Sequence, residues 1–525
     1  MKLTHHGRAI RLGGSGFACV LALTLATACG GSASSQTSKA GPAGTLTIGL
    51  SEPPSNFDPA KANIDPSDDT VLRLVYEPLF SALPQGGIGP GLATSWGFIG
   101  SGNRVFQFRL RPGVKFSDGS PVSGQAVAQW INYYAKGGNG TQWLPGAHAA
   151  PVAGQPDTVR IDLPAPQPAI AQVLTWQLQG GDVVSPKGLA NPAALGAQSF
   201  GAGPYVLDSA ATVTNSQYTF VPNPDYWNKA AIHYARVVVK VLASQSSALA
   251  ALQTGQVDLL TGVDASTVAS ARGSSLKAFS PPSSFMGVNL MDRNSPPLRD
   301  VRVRQALNYA IDRKAIINAL FQGFGSPSSE FGTPGYPDAW NSTVAGYYPY
   351  DPAKAKALLA QAGYPHGFSL SLETPTFIGT NLVAEAVGSY WQKIGITVKL
   401  TVDAQAAAWA QNVMSKNYPA AGFVYGGLPM SLLAPNWFGA APNPFNPFGA
   451  TVPQITSALA SAASASGAAQ AALYHQAQEL AVTNALAVPV AVIDTNFLAS
   501  SKLTGISVSA ANPYLDPTAV VPAAG

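Results

Sequence analysis

Hydrophobic and polar positions switch between two periods along this chain, and the switches mark its elements. Residues 45–50 (T-L-T-I-G-L) alternate as a strand does. Residues 105–110 and 158–163 do the same inside a stretch rich in turn residues, which predicts a separate antiparallel unit. Residues 236–242 (R-V-V-V-K-V-L) are an apolar run suited to a buried strand; a Ser-capped helix with Leu249 and Leu252 follows, closes near Gly255 and leads into 257–260. That succession is one βαβ unit. From residue 284 onward the helical period dominates. Asp300 caps a helix whose apolar stripe is Val303, Leu307, Ala310 and Ile311, and Asp312 caps a second through Ile316 and Leu320. An Asp351-capped helix ends at Gly363, strands are predicted at 368–372 and 396–402 around a helix at 383–391, and Ala-rich helical sequence over 455–486 precedes a strand at 487–493. There is no internal repeat. The class is α/β, with more chain than one core usually holds, so two or three domains are expected.

The N-terminus follows another logic. Lys2, Arg8 and Arg11 precede an apolar segment, 17–25, that is too short for a bilayer, which takes ~20 residues. It runs into Leu25-Ala26-Thr27-Ala28-Cys29-Gly30, which resembles a lipobox and makes 1–28 a signal and Cys29 the acylated first residue of the mature chain. An ordinary secretory signal cut near Ala28 is the alternative, and both readings export the protein. Residues 29–44 contain no large apolar side chain and read as a tether with a reach of roughly 20 Å. The only other cysteine, Cys19, lies in the signal, so cleavage together with a lipid on Cys29 removes thiol nucleophiles, Cys-based zinc sites and redox motifs.

Charge narrows the partners. The chain carries +4, and removing Lys2, Arg8 and Arg11 leaves +1, so no nucleic-acid footprint is expected. Charged residues make up 11% against a usual ~25%, which fits a loop-rich exported protein. No G-x-S-x-G, H-E-x-x-H or G-x-x-x-x-G-K occurs, which weakens an enzyme reading. The pair Asp68-Asp69 reads as a solvated loop. His148, His233, His366 and His475 are far apart in sequence, so no metal is assigned. Arg299, Arg302, Arg304 and Arg313 interleave with Asp300 and Asp312 and read as a solvated, internally paired helix face, contact with a membrane partner being the other reading.

Five segments share wording with one known family. Residues 294–316 (N-S-P-P-L-R-D-V-R-V-R-Q-A-L-N-Y-A-I-D-R-K-A-I) carry most of it. Tyr76-Glu77-Pro78-Leu79 with 109–119 (R-L-R-P-G-V-K-F-S-D-G), Gly201-Ala202-Gly203-Pro204-Tyr205, Pro224-Asp225-Tyr226-Trp227 and 350–365 stand in the family's order. The chain resembles the extracellular solute-binding proteins of family 5, receptors of bacterial ABC importers for peptides, nickel and related solutes. The resemblance implies a two-lobed periplasmic-binding-protein type II fold with an extra domain and a hinge. One lobe would combine 45–75, 200–279 and 496–525; 76–199 would be the extra domain and 280–495 the second lobe.

It also implies the function: a lipid-anchored monomer on the outer face of the cell membrane, without cofactor or catalytic residues, that captures an oligopeptide by lobe closure and delivers it to permease subunits. A non-peptide solute (nickel chelate, oligosaccharide) is the alternative within that class, and a secreted hydrolase or a surface interaction lipoprotein the alternative outside it. In peptide-binding relatives the ligand backbone adds as a strand between two segments. The matching positions here are Asn63-Ile64-Asp65 and Phe423-Val424-Tyr425-Gly426-Gly427, with Trp437 a further cleft candidate. Leu428 stands where such relatives carry an aspartate for the ligand's amino group, and 374–382 (T-P-T-F-I-G-T-N-L) lacks a basic residue for its carboxylate. Neither ligand terminus is therefore expected to be matched by charge at those two places.

Overall fold

The computed structural model describes residues 42–440 and 443–523; the signal, Cys29 and the tether up to residue 41 lie outside the described residues. The first strand, Ala43–Leu50, starts two residues ahead of the expected 45, so positions 43 and 44 belong to a sheet rather than to the tether. Along its length it pairs in parallel with Tyr234–Val241, from Ala43↔Tyr234 to Leu50↔Val241, and on its other edge with Leu259–Val263. The predicted βαβ unit is therefore real but not adjacent: its two strands flank Ala43–Leu50, and the helix Gln245–Gln253, capped by Ser244, makes the crossover.

Three sheets organise the chain. The first has seven strands in the order Lys277–Phe279, Asn496–Ala499, Leu259–Val263, Ala43–Leu50, Tyr234–Val241, Gln217–Pro222, Tyr205–Leu207. The second has six: Ser326–Pro327, Ala487–Asp494, Pro282–Leu290, Ala420–Gly426, Ser369–Pro375, Thr397–Asp403. A four-stranded antiparallel sheet, Ala93–Phe98, Val105–Leu110, Gln155–Asp162, His148–Val152, is the separate unit that the alternation predicts. The chain crosses from the first sheet to the second between Phe279 and Pro282 and returns between Asp494 and Asn496. These crossings lie side by side: Thr495 N donates to Pro281 O at 3.0 Å, and its hydroxyl to Ser283 Oγ at 2.7 Å.

Local signals hold where a side chain closes its own turn. Asp300 accepts from Arg302 N at 2.9 Å, Asp312 from Ala315 N at 3.0 Å and Asp351 from Lys354 N at 2.8 Å, so the helices Val301–Tyr309, Arg313–Phe321 and Pro352–Gln361 start where their caps stand. Gly363, at φ +89°, follows the last of these and supplies the left-handed backbone that ends it. The stripe Val303, Leu307, Ala310, Ile311 is fully buried. The expected Ala-rich helical stretch is two helices, Pro453–Ser464 and Gly467–Thr483.

Two sequence expectations fail. Arg304 and Arg313 are not on a solvated face: both are buried, and both donate to backbone carbonyls instead of pairing with acids. Arg304 reaches Asn484 O with Nε and Nη2 at 3.0 and 2.8 Å and so closes the C-terminal end of the Gly467–Thr483 helix. Arg299 and Arg302 are exposed as expected, and Arg302 pairs with Asp300. Asp68 and Asp69 are not in a solvated loop either; both are buried in the first turn of the helix Pro66–Val75. Burial raises both carboxyls, Asp68 to about 6 despite Ser55 N and Oγ at 2.6 Å and Asn63 N at 2.8 Å.

Candidate ligand-binding cavity

Parallel strands end together, and the loops after their C-terminal ends leave a crevice. Here two sheets do this toward the same space. Glu52 follows Ala43–Leu50 and Asp264 follows Leu259–Val263 in the first sheet; Phe377 follows Ser369–Pro375 and Gly427 follows Ala420–Gly426 in the second. All four line a cavity of about 790 Å³, whose wall also includes Asp494, Thr495 and Asn496 of the return crossing. That volume lies in the range of small-molecule sites, about 300–1,000 Å³.

The segments named by the resemblance are divided by the structure. Ile64, Asp65, Val424, Tyr425, Gly426, Gly427 and Leu428 line the cavity. Asn63, Phe423 and Trp437 are not in its wall. Asn63 N donates to Asp68 Oδ2 at 2.8 Å and its carbonyl accepts from Gln179 Nε2 at 2.6 Å, so its backbone is already engaged on both sides. Phe423 is buried on the opposite face of its strand from Val424, as strand alternation requires. Trp437 is 2% exposed and packs among Phe423 at 4.7 Å, Phe445 at 4.9 Å, Phe331 at 5.4 Å and Phe285 at 5.6 Å between centroids; it is an aromatic core residue. The strand Ala420–Gly426 pairs along its whole length with Pro282–Leu290, but on its other edge only Ala420 and Ala421 meet Ser369–Pro375. From Gly422 to Gly426 that edge has no second strand among the described residues.

Sequence reasoning missed most of the charged lining. Among the described residues, four carboxylates, Glu52, Asp65, Asp264 and Asp494, line the cavity, and no Lys, Arg or His does. They come from strand ends, caps and loops up to 442 residues apart in sequence. Burial pushes the Asp494 carboxyl up to about 6 against the Gly325 N–H, and burial followed by the Asp65 charge raises Glu52. Phe377, Ile378, Gly379 and Leu382 bring an apolar wall from the stretch that the sequence shows to lack a base. Tyr425 closes one side, and its hydroxyl oxygen accepts twice, from Asn436 Nδ2 at 2.8 Å and from Gln142 Nε2 at 3.3 Å.

A family model described as bacterial extracellular solute-binding proteins, family 5 middle, matches residues 87–443, more than half of the chain. The chain belongs to family 5. The glutathione-binding protein GsiB of Escherichia coli O1:K1 / APEC is 29% identical over 328 residues, 61% of this chain and 62% of that protein. Heme-binding protein A of Haemophilus influenzae is 33% identical over 213 residues, 39% of this chain and 38% of its own. Among solved structures, the PBP AgaA in complex with agropinic acid, from A.tumefacien R10, superposes with a TM-score of 0.75 at 26% identity, covering 92% of this chain and 99% of that one. The fold of this family 5 chain is accordingly the two-lobed type II periplasmic-binding form. Its named relatives are binding proteins and not enzymes, and family 5 is extracellular by description. Among the described residues, no helix is long and apolar enough to cross a membrane.

Proposed function

We propose that this chain is the solute receptor of an ABC importer, and that its lobes close on an oligopeptide or similar solute and pass it to the permease. The lobes of this reading are 45–75 with 200–279 and 496–525, the extra domain 76–199, and 280–495. The observation that carries it is the position of the cavity: strand ends of both large sheets line it, and its wall includes Thr495, in the return crossing between them. Closing on a solute then requires torsion changes only at two neighbouring crossings. A ligand that contacts both lobes favours the closed form over the open one by its differential affinity, and that difference is what a permease can read.

The unpaired strand edge 422–426 supports a peptide bound by strand addition. The backbone of Asn63 is already engaged, which supports the second reading, a non-peptide solute held by side chains. Small-angle scattering on the full chain is the test of the receptor reading. Adding the solute found by native mass spectrometry on freshly purified protein should reduce the radius of gyration. Turnover of that solute to product without compaction would overturn the receptor in favour of a hydrolase.

The same reading keeps the receptor near its permease through a lipid on Cys29. Cys29→Ala is expected to abolish incorporation of labelled fatty acid and to leave the precursor uncut by the lipoprotein peptidase. Labelling that persists in the variant would sink the lipobox assignment, and normal cutting with no label in either form would identify an ordinary secretory signal.

A further inference from the structure

We propose that the cavity selects a cationic solute, one carrying a primary ammonium or guanidinium group, and that Asp494 from one sheet and Glu52 from the other hold it. The proposal rests on the receptor reading and names the ligand class of the same site.

Among the described residues, four carboxylates and no base line the cavity, but the four are not equivalent. Asp65 accepts from Ser67 N and Asp68 N, both at 2.9 Å, and caps the helix Pro66–Val75. Asp264 accepts from Thr267 N at 2.7 Å and Ser266 Oγ at 3.0 Å and caps the helix Ala265–Ser270. Each of these charges already faces the positive end of a helix. Glu52 and Asp494 cap no helix, and neither is in an ion pair among the described residues. Two acids facing one cavity without a counter-charge are a demand that a cation meets and an anion aggravates.

A second observation is independent of the acids. Asn496 lines the same wall two residues from Asp494, is 5% exposed, and donates from Nδ2 to Val263 O at 3.2 Å, while its Oδ1 has no partner. A buried acceptor left open beside a carboxylate fits a ligand that brings several N–H donors to one point, as ammonium and guanidinium do. The rest of the wall suits such a group as well. Trp143, Phe321, Phe377 and Tyr425 are in it, and aromatic faces attract cations. The nearby guanidinium of Arg272 stacks on the Phe324 ring at 5.1 Å and does not line the cavity. Burial raises both carboxyls, with the Asp65 charge adding to the rise at Glu52, and a cation seated beside either would lower it again. The charge that the sequence shows to be missing at Leu428 is thus supplied from elsewhere in the wall.

The test uses four probes of one size on the mature full chain: trialanine amide, its guanidinylated form, N-acetyl-trialanine amide and N-acetyl-trialanine. They carry +1, +1, 0 and −1. Calorimetry is expected to rank either cation at least tenfold tighter than the neutral form, with no binding of the anion. Asp494→Asn should remove that preference, Glu52→Gln should reduce it, and Glu385→Gln, which deletes a charge at a solvent-exposed position, should leave it intact; melting curves confirm that each variant folds. Neutral or anionic probes that bind as tightly and compact the protein would overturn the charge assignment and leave the receptor standing. Silence from all four overturns the assignment for amines and guanidines of this size. A neutral or anionic solute then found by native mass spectrometry, with compaction, would confirm the receptor alone, whereas no compaction with any solute sinks both.

Discussion

Arg313→Met is expected to lower unfolding free energy by about 3–5 kcal/mol, although it deletes a buried charge that has no acid to pair with. The guanidinium replaces an ion pair with carbonyls. Nε donates to Pro489 O at 2.8 Å and Ser328 O at 3.2 Å, Nη1 to Tyr348 O at 3.0 Å and Asn308 O at 3.2 Å, and Nη2 to Asn308 Oδ1 at 2.8 Å. Burial pulls the group down to about 10, which measures how poorly dipoles substitute for water around a full charge. Removing the charge gives some of that back. The five hydrogen bonds weigh more, because methionine leaves acceptors from four separate segments buried with no donor, at about 1–3 kcal/mol each. Those segments include the strand Ala487–Asp494, so Arg313 ties its helix to the strand that ends at the cavity. Arg313→Lys should recover less than half of the loss, since three donors on one atom cannot follow a planar fork. Urea unfolding midpoints at constant slope give the answer. A loss under about 1 kcal/mol for the methionine variant would show that the charge costs as much as its hydrogen bonds return.

Arg313 also shows how far this sequence could be read. The helix start at Asp312 and the stripe beside it were legible because both are local, set by one cap and a 3.6-residue period. Whether the arginine directly after that cap points to water or to Pro489, 176 residues away, is not local, and alternation of Arg with Asp gave the wrong face. Val105–Leu110 and Ala487–Asp494 were legible for the same reason as the caps, and so was the crossover helix after Ser244. The order of strands was not: the partner of Leu259–Val263 is Ala43–Leu50, not its neighbour in sequence. Of the segments named by wording, 424–428 and 64–65 line the cavity, and each of these parts lies in one segment. Trp437 misled because aromaticity is the same signal in a core and in a cleft, and only its ring neighbours distinguish them. Glu52, Asp264 and Asp494 carry no signal at all until the two sheets bring their strand ends together.

Arg73→Met should cost about as much, 3–5 kcal/mol, for the opposite reason: it strands acids instead of carbonyls. Arg73 is 8% exposed at the end of the helix Pro66–Val75. Its Nε and Nη2 each lie 3.1 Å from Asp516 Oδ2, and its Nη1 is 3.9 Å from Glu77 Oε2, which also accepts from Tyr226 OH at 3.0 Å. Burial alone would lower the arginine, but Asp516 and Glu77 hold it up; burial raises Glu77, and Arg73 restrains that rise. Without Arg73 the Glu77 carboxyl loses its main restraint and moves further up. A raised carboxyl favours the folded state when protonated, so its contribution is present at low pH and lost as pH rises through the folded value. The deficit of Arg73→Met is therefore expected to be larger at pH 8 than at pH 5, and Glu77→Gln in the same chain should recover roughly half of it at pH 8 by removing the stranded charge. Asp516 belongs to the C-terminal segment, so amide exchange around 515–522 should quicken in the single variant. The opposite end of the same helix puts Pro66 and Ser67 into the cavity wall, and ligand affinity should fall with it. Equal deficits at both pH values, or a double variant no more stable than the single one, would show that Asp516 alone matters and that Glu77 was already neutral.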